Sequence, residues 1–115
     1  MNNDSNNCIF CKIAKKELQA QIVFENEEFI AFNDTKPVSP VHTLVIPKKH
    51  YKNLLEVNDA SILGNLFLTA CDVAKKQGLG EGFRTVINTG DNGGQTVYHL
   101  HLHILGGRFH KWPPG

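Results

Sequence analysis

In the stretch Tyr98-His99-Leu100-His101-Leu102-His103-Ile104, histidines alternate with a tyrosine and then with aliphatic residues. Neighbouring side chains of a β-strand point to opposite faces of the sheet, so this alternation predicts a strand with three imidazoles on one face. The aliphatic side chains share the other face, which we predict to be the buried one. We therefore predict a strand over Val97–Leu105 with core residues on one face and candidate functional residues on the other.

Upstream of this strand, the glycine-rich loop Thr89–Thr96 follows another predicted strand, Phe83–Asn88. Apolar spacing predicts the remaining elements. They are a short helix at Ile9–Leu18, strands at Ile22–Phe24, Phe29–Phe32 and His42–Ile46, and a long helix that begins after Asn58 or Asp59 and ends at Gly78. The apolar face of the long helix consists of Ile62, Leu63, Leu66, Phe67, Ala70, Val73 and Ala74. This order favours an α+β fold, a five-stranded antiparallel sheet with helices packed on it.

The composition is that of an ordinary globular protein, with 115 residues, 41% of them hydrophobic and 20% charged. We predict a flexible tail over 1–7 and a single domain over 8–115. A net charge of +1 without a basic stripe argues against nucleic-acid binding. No apolar run is long enough to span a membrane. Three cysteines without a secretion signal predict a reducing location, the cytoplasm and also the nucleus.

Three imidazoles on one face indicate a functional site, either a metal cage or a nucleophile with an acid–base partner. A single metal ion fits poorly, because the Cα atoms of His99 and His103 would lie about 13 Å apart in a strand and zinc needs each nitrogen at about 2 Å. A phosphate group is larger and can contact His101 and His103 together. Neutral imidazole is nucleophilic near its pKa of about 6.5, and a second histidine can protonate a leaving group.

The loop ahead of the triad suits an anion. Gly90, Gly93 and Gly94 allow backbone N–H groups to point at an oxyanion. Thr96 adds a hydroxyl and Asn88 an amide. The sequence has neither a lysine motif of the Walker type nor a carboxylate pair beside the histidines that could hold magnesium. We therefore predict phosphoryl chemistry that requires no cofactor at the reacting centre.

Motifs along nearly the whole chain resemble the histidine triad (HIT) family, and its Hint branch in particular. They are Ile9-Phe10-Cys11-Lys12-Ile13, Leu44-Val45-Ile46-Pro47-Lys48-Lys49-His50, Gly93-Gly94-Gln95 and Trp112-Pro113-Pro114-Gly115. The triad preceded by Gly-Gly-Gln is specific to the family, and the Trp-Pro-Pro-Gly segment to the branch. The resemblance implies a homodimer whose sheets join into one. It also implies a purine nucleoside phosphoramidase, which releases AMP from P–N adducts such as AMP-lysine.

The resemblance assigns roles to the histidines. His101 is implied to be the nucleophile, held in the right tautomer by the backbone carbonyl of His99. His103 is implied to contact the phosphate and the leaving group, and His42 to be a fourth, more remote histidine of the site.

The resemblance also implies the nucleotide ligands. Asn88, Gly94 and Thr96 would bind the α-phosphate, with Gln95 beside them. Asp34 would accept the ribose hydroxyls. The residues implied to frame the base are Phe32, Asn33, Thr35 and Ile13. Trp112 is implied to reach the site of the partner subunit.

Cys8 and Cys11 have the spacing of a zinc-ligand pair. A buried structural pair of thiols is the alternative. Related proteins of the superfamily hold a structural zinc ion through such a pair and two histidines, whose positions are filled here by His50 and His99. The resemblance therefore implies a closed Cys₂His₂ site that would brace the triad strand without reacting. The third cysteine, Cys71, is predicted to be in the core.

Three alternative functions stay open on the sequence. A dinucleoside polyphosphate hydrolase would use the same triad in another branch of the family. A zinc hydrolase would need a metal ion at the reacting centre. A nucleotide-binding scaffold protein would need the site for binding alone.

Overall fold

The computed structural model of the protein describes residues 7–115. In chain order the elements are helix α1 (Ile9–Ala14), strands β1 (Ile22–Glu25), β2 (Phe29–Asn33) and β3 (Val41–Pro47), a 3₁₀ turn (Leu54–Glu56), helix α2 (Ala60–Lys76), and strands β4 (Arg84–Val86) and β5 (Leu102–Gly106). This order confirms the predicted α+β class. Of the predicted tail 1–7, only Asn7 lies within the described residues. No helix in the described part of the chain is long and apolar enough to cross a membrane.

The five strands form one antiparallel sheet in the order β1-β2-β3-β5-β4. The predicted five-stranded antiparallel sheet is therefore confirmed. Strand β5, which contains His103, lies between β3 and β4, and the edges of the sheet are β1 and β4. Leu44 of β3 pairs with His103, and Val45 pairs with Leu102.

Each face of the sheet is covered by one helix. Helix α2 packs against the face that contains Val45 and Leu102. Helix α1 packs against the opposite face, which contains Leu44. Because Leu44 and His103 are paired, the histidine face of the triad strand lies under α1.

Burial extends to both faces of the triad segment, although His103 is only half-buried. Leu100, Leu102 and Ile104 are buried as predicted. His99, with 0% of its surface exposed, and His101, with 6%, are buried as well. The sequence predicted burial of the aliphatic face alone, because the alternation does not show that a second helix covers the imidazoles.

Helix α1 is shorter than predicted. It begins after Cys8, whose Sγ accepts a hydrogen bond from the Cys11 N–H at 3.3 Å. It ends at Ala14, and Lys16 adopts a left-handed backbone with φ of 65°. A left-handed residue is a common helix terminus, so the predicted end at Leu18 is wrong by one turn.

Helix α2 begins and ends as the sequence predicts, but its buried face is narrower. Asp59 caps its N-terminus by accepting from the Ser61 N–H, and Gly78 follows its C-terminus with φ of 81°. The buried residues are Leu66, Thr69, Ala70, Val73 and Ala74. Phe67 is 42% exposed and Cys71 is exposed, so the predictions that they face the core are wrong. Both lie on the flank of the stripe, where the sheet does not reach.

The last two strands are also shorter than predicted, β4 ending at Val86 and β5 starting at Leu102. The residues just before β5 bond elsewhere: the Leu100 N–H donates to the Tyr51 carbonyl oxygen at 2.7 Å. His99 and His101 therefore lie on an extended segment that leads into the strand. The alternation of faces persists there, because extended backbone produces it with or without a ladder partner.

Candidate active site

His101 is oriented by the backbone of the same segment. Its Nδ1–H donates to the carbonyl oxygen of His99 at 2.7 Å. In a neutral imidazole this places the lone pair on Nε2, the atom that would act as a nucleophile. Burial lowers the pKa of His101, with smaller opposing effects from the His99 carbonyl and Asp34. The ring is therefore held neutral in the tautomer that a nucleophile needs.

Phe10, for which the sequence predicts no functional role, contacts the candidate nucleophile. Its ring meets the His101 ring edge-on, with centroids 5.2 Å apart and planes at 83°. It also packs against Phe32 at 5.4 Å. Phe10 therefore limits the movement of His101 and joins it to the apolar wall of the site. Its only signal in the sequence is its place beside Cys11 in a motif of the resemblance.

His42 and His103 form a pair beside His101. The ring centroids of His101 and His103 are 5.0 Å apart. Nε2 of His42 lies 2.9 Å from Nδ1 of His103, although 61 residues separate them in the chain. Burial lowers the pKa of His103 to about 4, with His101 adding to the effect, and burial also lowers the pKa of His42. Both rings are therefore neutral at pH 7.

Asp34, the predicted ribose ligand, lies next to these histidines. Its Oδ1 accepts a hydrogen bond from the Lys36 N–H at 2.8 Å. Its Oδ2 lies 3.4 Å from Nε2 of His42. The short turn after β2 thus fixes the carboxylate, and the side chain stays partly exposed to solvent.

The residues predicted to frame the base divide between the two faces of the sheet. Phe32 and Ile13 belong to the apolar cluster under α1, on the histidine side, and Thr35 is exposed after β2. Asn33 follows Phe32 and points to the other face. It accepts a hydrogen bond from the Thr43 hydroxyl at 3.0 Å, and its own amide donates to Gln21 at 3.3 Å. The structure therefore does not bring the Asn33 side chain to the histidines, because strand neighbours alternate.

The glycine-rich loop turns sharply where the glycines are. Gly90 and Gly94 have φ of 73° and 83°, which side chains with a Cβ rarely adopt. A Cβ on Gly93 would lie 2.4 Å from the carbonyl oxygen of Thr89. Gly94 and Thr96 are exposed. The loop therefore offers a tight, solvent-facing backbone turn.

The Gln95 side chain, predicted to lie among the nucleotide ligands, makes its hydrogen bonds within this loop and to its neighbours. Its Oε1 accepts from the Gly90 N–H at 2.8 Å, and its Nε2 donates to the carbonyl oxygens of Lys52 at 2.8 Å and Val97 at 3.1 Å. Only 4% of the residue is exposed. Its polar atoms are engaged within the protein, so it shapes the loop.

Asn88 lies two residues beyond the end of β4. Val86 pairs with His103 in the antiparallel ladder. Extending this register by one pair on the same face places Asn88 opposite His101. Asn88 is half-buried, and this register would place its side chain on the histidine side of the sheet.

A second cluster of side chains lies at the start of the triad segment. Cys8, Cys11, His50 and His99 offer four ligand atoms that all lie within 4.8 Å of one another. Nδ1 of His99 is 3.2 Å from Cys8 Sγ and 3.2 Å from Nδ1 of His50. The predicted zinc residues are thus brought together by the fold from three distant parts of the chain.

The hydrogen bonds of this cluster fit a metal ion. Nε2–H of His99 donates to the Pro47 carbonyl oxygen at 2.7 Å, so the lone pair of its Nδ1 points at the two cysteines. Burial and the adjacent Cys8 thiol raise the pKa of Cys11 to about 12. A bound cation reverses this effect by stabilising the thiolate. Two thiols and two imidazole nitrogens are a donor set typical of structural zinc.

Trp112, in the C-terminal segment, lines a groove whose walls include none of the triad histidines. Trp112 is 81% exposed. The Arg84 side chain donates to the carbonyl oxygens of His110 at 3.3 Å and Lys111 at 2.9 Å. A broad groove runs between this segment and β4, and its walls include Phe83, Phe109 and Trp112. Within one chain, Trp112 therefore does not contribute to the histidine site.

Comparisons of the sequence and of the structure with known proteins all match the same protein family. The family model of the HIT domain matches residues 15–110. An uncharacterized HIT-like protein of Synechococcus elongatus is 54% identical over 113 residues, covering 96% of this chain and 99% of its own. The crystal structure of a HIT family hydrolase from Legionella pneumophila superposes with a TM-score of 0.91 at 48% identity, covering 95% of this chain and 100% of that chain. A hypothetical histidine triad nucleotide-binding protein from Sulfolobus tokodaii has a TM-score of 0.76 at 40% identity, covering 85% of this chain and 67% of that chain.

Proposed function

The chain belongs to the HIT domain family, and we propose on this premise that it hydrolyses nucleoside 5′-phosphoramidates to AMP and a free amine, as a member of the Hint branch. The observation that carries the proposal is the state of His101. A buried, neutral imidazole donates Nδ1–H to a fixed carbonyl at 2.7 Å and presents an unprotonated Nε2. The relatives named as a hydrolase and as a nucleotide-binding protein support a nucleotide as the substrate.

The proposed reaction has two steps through a nucleotidyl-histidine. Nε2 of His101 attacks the α-phosphorus, a P–Nε2 bond forms, and the P–N bond to the amine breaks. The amine leaves with the electron pair and takes up one proton from solvent, while His103 donates a hydrogen bond toward the phosphate and the leaving nitrogen. Water then attacks the phosphorus, the P–Nε2 bond breaks, and the water gives one proton back to solvent. The products are AMP, the amine and the restored His101.

The remaining residues would hold the nucleotide around this atom. We place the α-phosphate against Asn88 and the backbone turn of Gly94 and Thr96, where N–H groups and a hydroxyl are able to meet its oxygens. The Asp34 carboxylate accepts the ribose hydroxyls. The base lies against Phe32, Ile13 and Thr35 on the same side of the sheet. This arrangement suits an AMP-type purine nucleotide.

We also propose a homodimer. β4 is a short edge strand of the sheet that the described residues form, and an edge strand offers backbone N–H and C=O groups to a further strand. Phe67 and Leu68 are 42% and 66% exposed on α2, and Trp112 is exposed beside the groove. A second copy that pairs along β4 would cover these apolar groups and continue the sheet, and Trp112 would reach the partner's site.

Sedimentation equilibrium tests the dimer. The expected mass is twice the 12.8 kDa of one chain. We expect Leu68→Glu to shift the protein toward monomer, because it buries a charge in the proposed interface. Leu55→Glu, at a residue 85% exposed on the 3₁₀ turn, is the matched control and should leave the mass unchanged. A wild-type protein of 12.8 kDa at all concentrations would contradict the dimer.

The Cys₂His₂ cluster is proposed to hold one structural zinc ion. Cys8, Cys11, His50 and His99 would be its ligands, and the ion would stabilise the start of the triad segment, from which the His99 carbonyl orients His101. The free thiols of the described cysteines fit the reducing cytoplasm as the location. No cofactor takes part in the proposed chemistry.

The substrate class is tested by comparing two nucleotides. One is an adenosine phosphoramidate bearing a fluorescent amine, and the other is a diadenosine polyphosphate. We expect the phosphoramidate to have a kcat/KM at least about 100-fold higher, a difference of roughly 2.7 kcal/mol in transition-state binding. A preference for the diadenosine compound would instead support a dinucleoside polyphosphate hydrolase. Tight binding of AMP with no turnover of either compound would support a binding protein.

A further inference from the structure

A backbone N–H group in the loop between β2 and β3 points at a histidine of the site. The Val38 N–H donates a hydrogen bond to Nδ1 of His42 at 3.1 Å. A nitrogen that accepts a hydrogen bond has its lone pair in the ring plane and bears no proton. Because burial keeps His42 neutral by lowering its pKa, its single proton must lie on Nε2.

The surroundings of Nε2 of His42 agree with this proton position. Nδ1 of His103 lies 2.9 Å away, and Oδ2 of Asp34 lies 3.4 Å away. A carboxylate is only an acceptor, so the atom that faces it at hydrogen-bond range is a donor. The Nε2–H of His42 therefore donates to Nδ1 of His103, with Asp34 as a weaker second acceptor.

The tautomer of His103 follows from that of His42. Since Nδ1 of His103 accepts a hydrogen bond, the proton of its neutral ring lies on Nε2. This Nε2 atom is buried and has no hydrogen-bond partner within the described chain. A buried donor without a partner is destabilising. Such a cost is typical of a group that is held ready for a ligand.

We propose that the backbone N–H of Val38 is a positioning group which, acting through His42, holds His103 as a neutral Nε2–H donor toward the phosphate and leaving group of the substrate. The proposal rests on the proposed function for the identity of that substrate. Three groups in series, at 3.1 and 2.9 Å, then determine where the proton of His103 lies.

The rings of His42 and His103 can carry two N–H protons in total while both hydrogen bonds are kept. One lies between the two rings and the other on Nε2 of His103. A third proton would require the contact with Val38 or the contact between the rings to break. The lowered pKa values of His42 and His103 agree with this arrangement. A metal ion on Asp34, His42 and His103 is also disfavoured, although their ligand atoms lie within 4.8 Å of one another. Nε2 of His42 carries a proton in this arrangement and therefore has no lone pair to donate to a metal ion.

The loop that supplies the N–H group is itself anchored. Ser39 is buried, and its hydroxyl is hydrogen-bonded to Nε2 of His110 at 3.0 Å. Arg108 donates to the Val38 carbonyl oxygen at 3.4 Å. The Val38 side chain is 63% exposed, so residue 38 contributes through its backbone and not through its side chain.

Long-range ¹H–¹⁵N NMR of the free protein measures the proton positions directly. Signals are assigned with His42→Gln and His103→Gln. In the wild type we expect Nδ1 of both rings to have the shift of an unprotonated nitrogen and Nε2 of both to have that of a protonated one. Val38→Pro removes the N–H group and should mix the two tautomers in both rings. Val38→Ala keeps the N–H group and should restore the wild-type spectrum.

Kinetics provide the second measurement. With the phosphoramidate substrate, we expect Val38→Pro to lower kcat about tenfold with KM within about twofold. This is the loss expected when His103 no longer donates its hydrogen bond to the substrate in the transition state. Val38→Ala should retain the wild-type kcat. If Val38→Pro does not fold, the wild-type spectrum alone decides. A wild-type His42 with a protonated Nδ1, or a Val38→Pro protein with unchanged tautomers, would overturn the proposal. The NMR result does not depend on the substrate, so failure of the phosphoramidase assay would leave it standing.

Discussion

Replacing His101 with alanine is expected to lower kcat for the phosphoramidate by at least about 1,000-fold, because removal of a nucleophile from a covalent mechanism leaves only binding and electrostatic effects. The measurement is release of a fluorescent amine, followed against the uncatalysed rate. The effect should far exceed that of any substitution outside the site. Leu55→Ala, at a residue 85% exposed on the 3₁₀ turn, is the control and should match the wild type.

The covalent intermediate allows an independent check of the same residue. Wild-type protein mixed with a phosphoramidate labelled in the α-phosphate and quenched with base should retain label, and His101→Ala should retain none. Circular dichroism shows whether the variant is folded. Turnover by folded His101→Ala at the wild-type rate would exclude His101 as the nucleophile. Label on a residue other than His101 would move the nucleophile there.

The second large effect is expected at the cysteine cluster. We expect the double variant Cys8→Ala/Cys11→Ala to lose one bound zinc ion per chain and about 10 °C in Tm. A metal ion present at 100 times its Kd stabilises the folded state by about 2.7 kcal/mol. Each kcal/mol shifts the Tm of a domain of this size by roughly 4 °C. Metal content by elemental analysis and Tm by calorimetry are the two measurements.

Cys71→Ala is the matched control for this experiment, since Cys71 is an exposed thiol on α2 outside the cluster. Its zinc content and Tm should match those of the wild type. Protein that is refolded with zinc and retains no ion would contradict the zinc site. Equal Tm values for the double variant and the wild type would show that the four side chains are held by packing alone.

The elements of the fold could be predicted where the signal is local. The caps of α2 at Asp59 and Gly78, and the aliphatic face of Leu100, Leu102 and Ile104, follow from residues adjacent in the chain. The errors lie where a distant element decides the outcome. Cys71 lies beyond the reach of the sheet, and the first triad residues leave the ladder because Tyr51 accepts the Leu100 N–H.

The candidate site divides in the same way. The alternation in the triad predicts the candidate functional residues, because extended backbone places His99, His101 and His103 on one side wherever the segment lies. The side chains of two predicted nucleotide ligands make their hydrogen bonds elsewhere in the protein. Asn33 points to the α2 face, and Gln95 is engaged inside its loop. Phe10 had no pattern to indicate its contact with His101.

The amino-acid sequence was enough to identify the candidate reactive groups and the direction in which each one points from its own strand, since both depend on residue type and local covalent geometry. What those groups face depends on the packing of distant segments. Cys8 reaches His99 across 91 residues, and His42 reaches His103 across 61. The proton positions depend on the backbone N–H of Val38, which any residue except proline could supply, and on the backbone carbonyls of Pro47 and His99, which any residue could supply. Side-chain chemistry is therefore encoded locally, whereas tautomer and ligand geometry arise from the packing of segments that are distant in the chain.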